Sequence, residues 1–253
     1  MTISQRRSRL VRRLRVRKTR EREGRVLVEG VRAVAEVLDC GVAVDFAVVS
    51  PRLGATEEGV GLARRLAQLE VVSVDDRGLE EVSDTDSPQG VLAVCREPEQ
   101  SLEDLGRCRR VLVMDALQDP GNLGTLVRSA VAFGLDGIVC LDGTVDPWGA
   151  KAVRASAGMV FRLPLFRCTV QEAVDVFARH ETPVLVASSE GTSRMPAAES
   201  FALVVGNEGG GVRDEVRAAS KETVAVSMSG PAESLNAGIA GSILMYLLAR
   251  EGG

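Results

Sequence analysis

Apolar and polar positions along the 253-residue chain follow two alternating rhythms. Short runs of Val, Leu, Ile and Ala have the length of strands. Between them, apolar residues recur every three to four positions, the spacing of one buried helix face. VLVEG at 26–30 reads as a short extended or turn element. Residues 31–39 read as a helix with Val31, Val34, Val37 and Leu38 inward, ended by Gly41. DFAVVS at 45–50, VVSV at 71–74 and GVLAVC at 90–95 read as strands, with helices over 57–69 and 75–83. After residue 110 the rhythm repeats. RVLVMDAL, GIVCLDG and PVLVASSE read as strands, FALVVGNEGGG and TVAVSMSG as strands running into loops, and 122–133, 149–157, 170–180 and 234–249 as helices. The last helix is apolar nearly all round, which fits deep packing or a subunit contact. Strands alternating with helices predict an α/β protein. REPEQSLEDLGRCRR at 96–110 is charged and contains Pro98, so the expected division is an arm at 1–25, an N-terminal domain at 26–97, a linker at 98–108 and a C-terminal domain at 109–253.

Composition changes this picture at one end of the chain. Apolar residues make up 45% and aromatics only 3%, so the core is expected to be mostly Val, Leu and Ala. No apolar run approaches a membrane span, and no continuous apolar segment follows the basic N-terminus, so neither a membrane anchor nor a secretory signal is expected. Cysteines at 40, 95, 108, 140 and 168 are odd in number and form no CxxC pair. That argues against bound metal and a disulfide framework, and for reduced thiols in a cytoplasmic protein. The net charge of −4 hides a strong asymmetry: residues 1–25 hold eleven Arg and Lys against two Glu. Arg12, Arg13, Arg15, Arg17, Lys18 and Arg20 are candidate RNA-phosphate contacts, with a solubilising tail as the other reading. Leu10, Leu14 and Val11 can share one helical face within this run.

Three loops carry candidate chemistry. In DPGNLG at 119–124, Pro120 and Gly121 make a turn and Asn122 is placed to cap the helix that follows. Arg128 lies among Leu126, Val127, Ala130 and Val131. Burying a guanidinium unpaired is costly, so an anion is expected there, either a protein carboxylate or a phosphate. In VVGNEGGGV at 204–212 the glycines permit positive φ and close backbone approach. The loop is neither GxGxxG nor a P-loop, which argues against a dinucleotide oxidoreductase. Glu208 at its tip can pair with Arg128, cap a helix or orient a substrate. In VSMSGPAESLNAGIAGSILMYL at 226–247, Ser234 or Asn236 starts a helix whose small residues let a backbone or a ligand come close. His180, the only histidine, ends a helix and fits a C-cap better than a catalytic role.

In this order, NLGTLVRSAVAFG, GNEGGG and SMSGPAESLNAGIAGSILMY resemble the three motifs of the SpoU family, the TrmH-like RNA ribose 2′-O-methyltransferases of the SPOUT class. KAVRASAGMVFRLPL at 151–165 resembles the family's middle segment, and VLVEGVRAVAEVL at 26–38 the start of its N-terminal substrate-binding domain. The resemblance implies a C-terminal SPOUT domain with a parallel sheet and a deep trefoil knot, and a small N-terminal α/β RNA-binding domain. It also implies S-adenosyl-L-methionine as cofactor, a homodimer through the C-terminal domain, and methyl transfer to a ribose of structured RNA. Ribosomal RNA, of the large subunit, is preferred over tRNA; a noncatalytic RNA-binding protein of the same fold is the alternative. Asn122, Arg128, Glu208 and Asn236 match the family's catalytic positions, and Ser188, Gly206, Val226, Met228, Ser234 and Leu235 its cofactor neighbours. Arg154 in VRASAG is a further RNA-contact candidate, within one subunit or across a dimer. Arg128 is expected to brace the phosphate beside the reacting ribose; its use as the base is opposed by how firmly a guanidinium holds its proton.

Overall fold

The computed structural model describes residues 3–251 and comprises two compact units. One is the chain up to Pro98 together with Trp148–Arg162; the other is Glu99–Pro147 together with the chain from Leu163 onward.

The first unit opens with α1 (Gln5–Arg13) and α2 (Arg17–Glu23). Residues 1–25 are therefore no loose arm over their described part. Val11 and Leu14 are fully buried against Leu27, Phe46, Val48, Leu79 and Leu92, with Leu10 partly buried beside them. The apolar face read from those three residues is what docks the basic helices. It also fixes where several cations go. Arg20 is 5% exposed, and its Nη1 donates to the carbonyls of Leu14 at 2.7 Å and Arg15 at 2.9 Å. The end of α1 leaves carbonyls without intrahelical donors, and Arg20 serves them; its place among the RNA contacts is corrected. Arg15 likewise donates to the Val82 and Ser83 carbonyls, and Arg17 pairs with Glu21. Arg12, Arg13 and Lys18 are exposed, as are Arg6 and Arg9, which lie on the same helix α1.

Beyond these helices come β1 (Arg25–Glu29), α3 (Val31–Asp39), β2 (Val44–Val49), α4 (Glu57–Leu66), β3 (Val71–Ser73), α5 (Asp76–Glu80) and β4 (Val91–Arg96). The sheet order is β1-β4-β2-β3. β4 runs antiparallel to β1 and β2, while β2 and β3 are parallel.

The second unit is a six-stranded, all-parallel sheet in the order β10-β8-β9-β5-β6-β7. Its elements are α6 (Leu102–Leu105), β5 (Arg110–Met114), α7 (Pro120–Ala132), β6 (Gly137–Leu141), β7 (Leu165–Cys168), α9 (Val170–Arg179), β8 (Val184–Thr192), β9 (Phe201–Val205), α10 (Asp214–Ala218), β10 (Glu222–Val224) and α11 (Ala237–Glu251). The intervening α8 (Ala150–Ala155) belongs to the first unit. Leu105, within the span expected as linker, is buried with Val111, Val139, Phe166 and Phe177 in one layer of the core. Thr169 and Glu172 form a capping box at the start of α9, and His180 sits at its C-cap. Chain order reverses between β5 and β9. In open parallel sheets, ligands settle beyond the carboxyl ends of the strands at such a switch point.

Candidate active site

β9 delivers the chain into the glycine loop just past Val205. A Cβ at Gly206 would lie 2.3 Å from the Gly211 backbone, so only glycine lets the loop fold back this tightly. Asn207 and Gly211 exchange both backbone hydrogen bonds at 2.9 Å. The Asn207 side chain fixes the rest. Its Oδ1 accepts from the amides of Gly209 and Gly210, and its Nδ2 donates to the Ala116 carbonyl at 2.9 Å. Nothing in the motif reading singled out Asn207; an Asn beside a glycine run was the available signal.

This hairpin aims Glu208 at the start of α7. The Asn122 Nδ2 donates to Glu208 Oε1 at 2.8 Å, and the Gln118 amide approaches Oε2 at 3.4 Å. Burial pushes the Glu208 pKa up, but hydrogen bonds from Asn122 and from the backbone amides of Glu208, Gln118 and Asp119 outweigh it and hold the pKa below its ordinary value. Asn122 is thus not the cap of α7. Asp119 takes that role, its carboxylate accepting from the Gly121 amide at 2.8 Å, with Pro120 as the first helical residue. Asn122, 6% exposed, sits in the first turn and spends its amide on Glu208.

α11 brings the third loop in. Asn236 Oδ1 accepts from the Gly238 and Ile239 amides at 2.9 and 3.2 Å, capping the helix. A Cβ at Gly238 would lie 3.1 Å from the Oδ1 atoms of both Asn122 and Asn236. Asn122, Glu208 and Asn236 therefore form one cluster. The helices α7 and α11 hold it in place: Ser129 bonds Ser242 at 2.7 Å, and the Phe133 and Tyr246 rings are 5.5 Å apart.

Beside the cluster is a cavity of about 400 Å³. Ser188, Gly206, Val226, Met228, Ser234 and Leu235 all line it, as do Glu208 and Asn236. Val205, Ala240 and Leu244 add apolar wall. Among the described residues, Glu208 is the only ionisable side chain in the lining. That composition disfavours a phosphate-bearing cofactor and suits a ligand with an apolar ring system and a positive charge.

Two residues fall elsewhere. Arg128 is exposed, in a stripe with Gly121, Thr125 and Ala132 that adjoins the α7 face packed on α11. It does not line the cavity and, among the described residues, has no ion pair; the expected burial is overturned, and of the two anions expected there the protein carboxylate falls away. Helix period explains this, because Arg128 is six residues, or well over a turn and a half, beyond Asn122. Arg154 lies in the first unit, near Glu29 and Asp84.

One network escaped the motif reading. Asp115, fully buried at the end of β5, accepts from the Arg213 amide at 2.8 Å and from its Nε at 2.6 Å. Arg213 Nη2 reaches the side chain and carbonyl of Asp142. This ties the far end of the glycine loop to the ends of β5 and β6. Among the described residues no group of His, Cys, Asp and Glu is arranged to hold a metal ion, and no helix is long and apolar enough to cross a membrane.

A parallel sheet with three convergent loops, a nucleoside-sized cavity with a single carboxylate in its wall and an Asn–Glu–Asn cluster defines an RNA methyltransferase of the SPOUT class. The chain belongs to the SpoU rRNA Methylase family, whose model matches residues 109–246, and an MRM3-like substrate binding domain matches residues 7–93. It is 35% identical over 239 residues to the 23S rRNA (guanosine(2553)-2′-O)-methyltransferase RlmP of Bacillus subtilis, covering 93% of this chain and 92% of that one. The SpoU methyltransferase AviRb of Streptomyces viridochromogenes in complex with AdoMet superposes with a TM-score of 0.84 at 28% identity, over 96% of this chain and 97% of that one. An AdoMet-bound rRNA methyltransferase of Sinorhizobium meliloti gives a TM-score of 0.81 at 26% identity, over 99% and 96%.

Proposed function

We propose that the protein methylates a ribose 2′-hydroxyl of large-subunit ribosomal RNA, with S-adenosylmethionine as donor. The observation that carries this reading is the cavity whose only charged side chain is Glu208, opening beside Asn122 and Asn236. When bound, S-adenosylmethionine supplies an electrophilic methyl on a sulfonium. Val205, Val226, Leu235 and Leu244 would hold its ring system, and the Glu208 carboxylate favours its positive charge. Glu208 is not the proton acceptor in this reading, because both its oxygens are engaged and its pKa is lowered. It fixes Asn122, and Asn236 is fixed by its own helix cap. Arg128 anchors the phosphate beside the reacting ribose and steadies the developing negative charge on the 2′-oxygen.

The active form is a homodimer. Ile239 and Tyr246 are 52% and 43% exposed on α11, and such apolar side chains on a catalytic helix suit a subunit contact. A second copy covering the α7–α11 face would bring the exposed Arg128 into the interface. The chain passing through itself as a deep trefoil knot belongs to the same reading and supports the convergence of the three loops.

The test is transfer of labelled methyl from S-adenosylmethionine to total RNA, with the product mapped by resistance of the modified linkage to alkaline hydrolysis. One ribose mark in large-subunit RNA is expected, lost in Arg128→Ala. Methyl on a base, or no transfer, overturns the reading.

A further inference from the structure

The first unit contains a second cavity, of about 240 Å³, that the methyl-transfer chemistry does not use. Its walls are built from the turn after β1 and from the loop SDTDSPQ at 83–89. Glu29 organises that loop: its carboxylate accepts from the Ser83 hydroxyl, from the Thr85 hydroxyl at 2.9 Å and from the Asp84 amide at 3.1 Å. Gln89 Oε1 accepts from the Val31 amide at 2.9 Å. This fixes the plane of the Gln89 amide and leaves its Nε2 without a protein acceptor among the described residues.

Arg154 enters the same cavity from α8. Its Nη1 lies 3.9 Å from Glu29 Oε2 and its Nη2 3.5 Å from Asp84 Oδ2. Both are ion-pair distances too long for good hydrogen bonds. Nη1 is buried from solvent and, among the described residues, has no hydrogen-bond partner. Buried charged donors are almost always satisfied, so an unsatisfied one calls for an explanation. Arg32 lies at the rim, exposed. In the wall, Arg32 and Arg154 face Glu29, and Asp84, outside the lining, takes up part of the Arg154 charge; the near balance of charge favours a neutral ligand over a phosphate. Gly30, Ala33 and Ala157 contribute small apolar wall.

We propose that this cavity receives one unpaired nucleobase of the RNA substrate through its keto edge. Arg154 and Gln89 donate to a carbonyl oxygen, the O6 of guanine or the O4 of uracil. The amino edges of adenine and cytosine present donors there and meet the Arg154 guanidinium and the Gln89 amide donor to donor. Single-stranded RNA is commonly read this way, by splaying out one base and bonding its edge. The inference rests on the RNA reading above and extends it to how the substrate is chosen.

The test measures binding of the full chain to short RNAs that carry a single base among abasic positions. Guanine and uracil versions are expected to bind at least tenfold more tightly than adenine and cytosine versions. Arg154→Gln removes that preference, but it also leaves Glu29 without its nearest cation. Gln89→Glu is therefore run beside it: it keeps the acceptor for the Val31 amide and replaces the free donor with an acceptor, so the preference should vanish or reverse. Equal binding of the four RNAs, or a preference that survives Gln89→Glu in the folded protein, overturns the proposal while methyl transfer stands. Failure to bind any RNA, together with no methyl transfer, removes the RNA reading and this inference together.

Discussion

Glu208 is held as a carboxylate by Asn122 and by the amides at the start of α7, with a folded-state pKa below its ordinary value. A lowered carboxyl pKa stabilises the fold above the unfolded pKa, about 4.3 for Glu. That contribution is lost as pH falls through the lower folded value. Glu208→Gln should therefore melt earlier than the parent near pH 7, with the gap closing below pH 4; melting curves at several pH values read this, and a constant gap would show that the charge is irrelevant. The side chain is exposed, so solvent screening keeps the effect small. Thiols give a second prediction. Burial pushes Cys108 to about 11 and Cys168 to about 12, and raises Cys95 further. At pH 8 these should resist iodoacetamide until the protein is unfolded, and mass spectrometry of the labelled chain shows it; prompt native labelling at Cys95 would contradict its burial. At this scale the meeting of Asn122, Glu208 and Asn236 was legible through motif resemblance. The Asp115–Arg213 pair was not, because nothing local marks partners 98 positions apart. Nor was the exposure of Arg128, since apolar neighbours in sequence are not neighbours on a helix face.

Among the elements, most strands stood out because strands buried on both faces, as in the parallel sheet of the second unit, read as continuous Val, Ile and Leu runs; β7 did not, because the apolar run in its four residues breaks off after Phe166. The two basic helices were harder to see, because their burial rests on only Val11 and Leu14 with partly buried neighbours. The contact of α11 with α7 is the joint on which the site depends. A Cβ at Gly241 would lie 2.5 Å from Leu126 Cδ2 and 2.9 Å from Val205 Cγ2. Gly241→Ala should cost about 1–3 kcal/mol by overpacking, read from urea denaturation. The expected value is at the low end, because Leu126 meets it with the tip of a rotatable side chain. An unchanged midpoint would mean that the helices separate freely. At the start of α9, Thr169→Ala removes the capping box and should cost about 1 kcal/mol, measured the same way.

For the whole molecule, charge is the property most visible in composition and most altered by the fold. Removing residues 1–25 would strip Val11 and Leu14 from the core, so it would report on stability before it reported on RNA. Neutralising Arg6, Arg9, Arg13 and Lys18 on the exposed surface is the cleaner change. Each lost phosphate contact should flatten the plot of log affinity against log salt by about 0.7–0.9; an unaltered slope would place the RNA elsewhere. The grouping of Trp148–Arg162 with the N-terminal chain was invisible in sequence, where those residues sit between two strands of the other unit. Trp148 and Phe161 are buried with ring centroids 5.2 Å apart, and a Cβ at Gly158 would lie 2.8 Å from Ala33 Cα. Severing the chain at Pro98 therefore would not yield two self-sufficient halves. The C-terminal fragment would carry off a tryptophan and a phenylalanine stripped of their cover, and the N-terminal fragment would keep an open seam along α3. Swapping the N-terminal part between relatives to change RNA choice would succeed only if this fifteen-residue insert travelled with it.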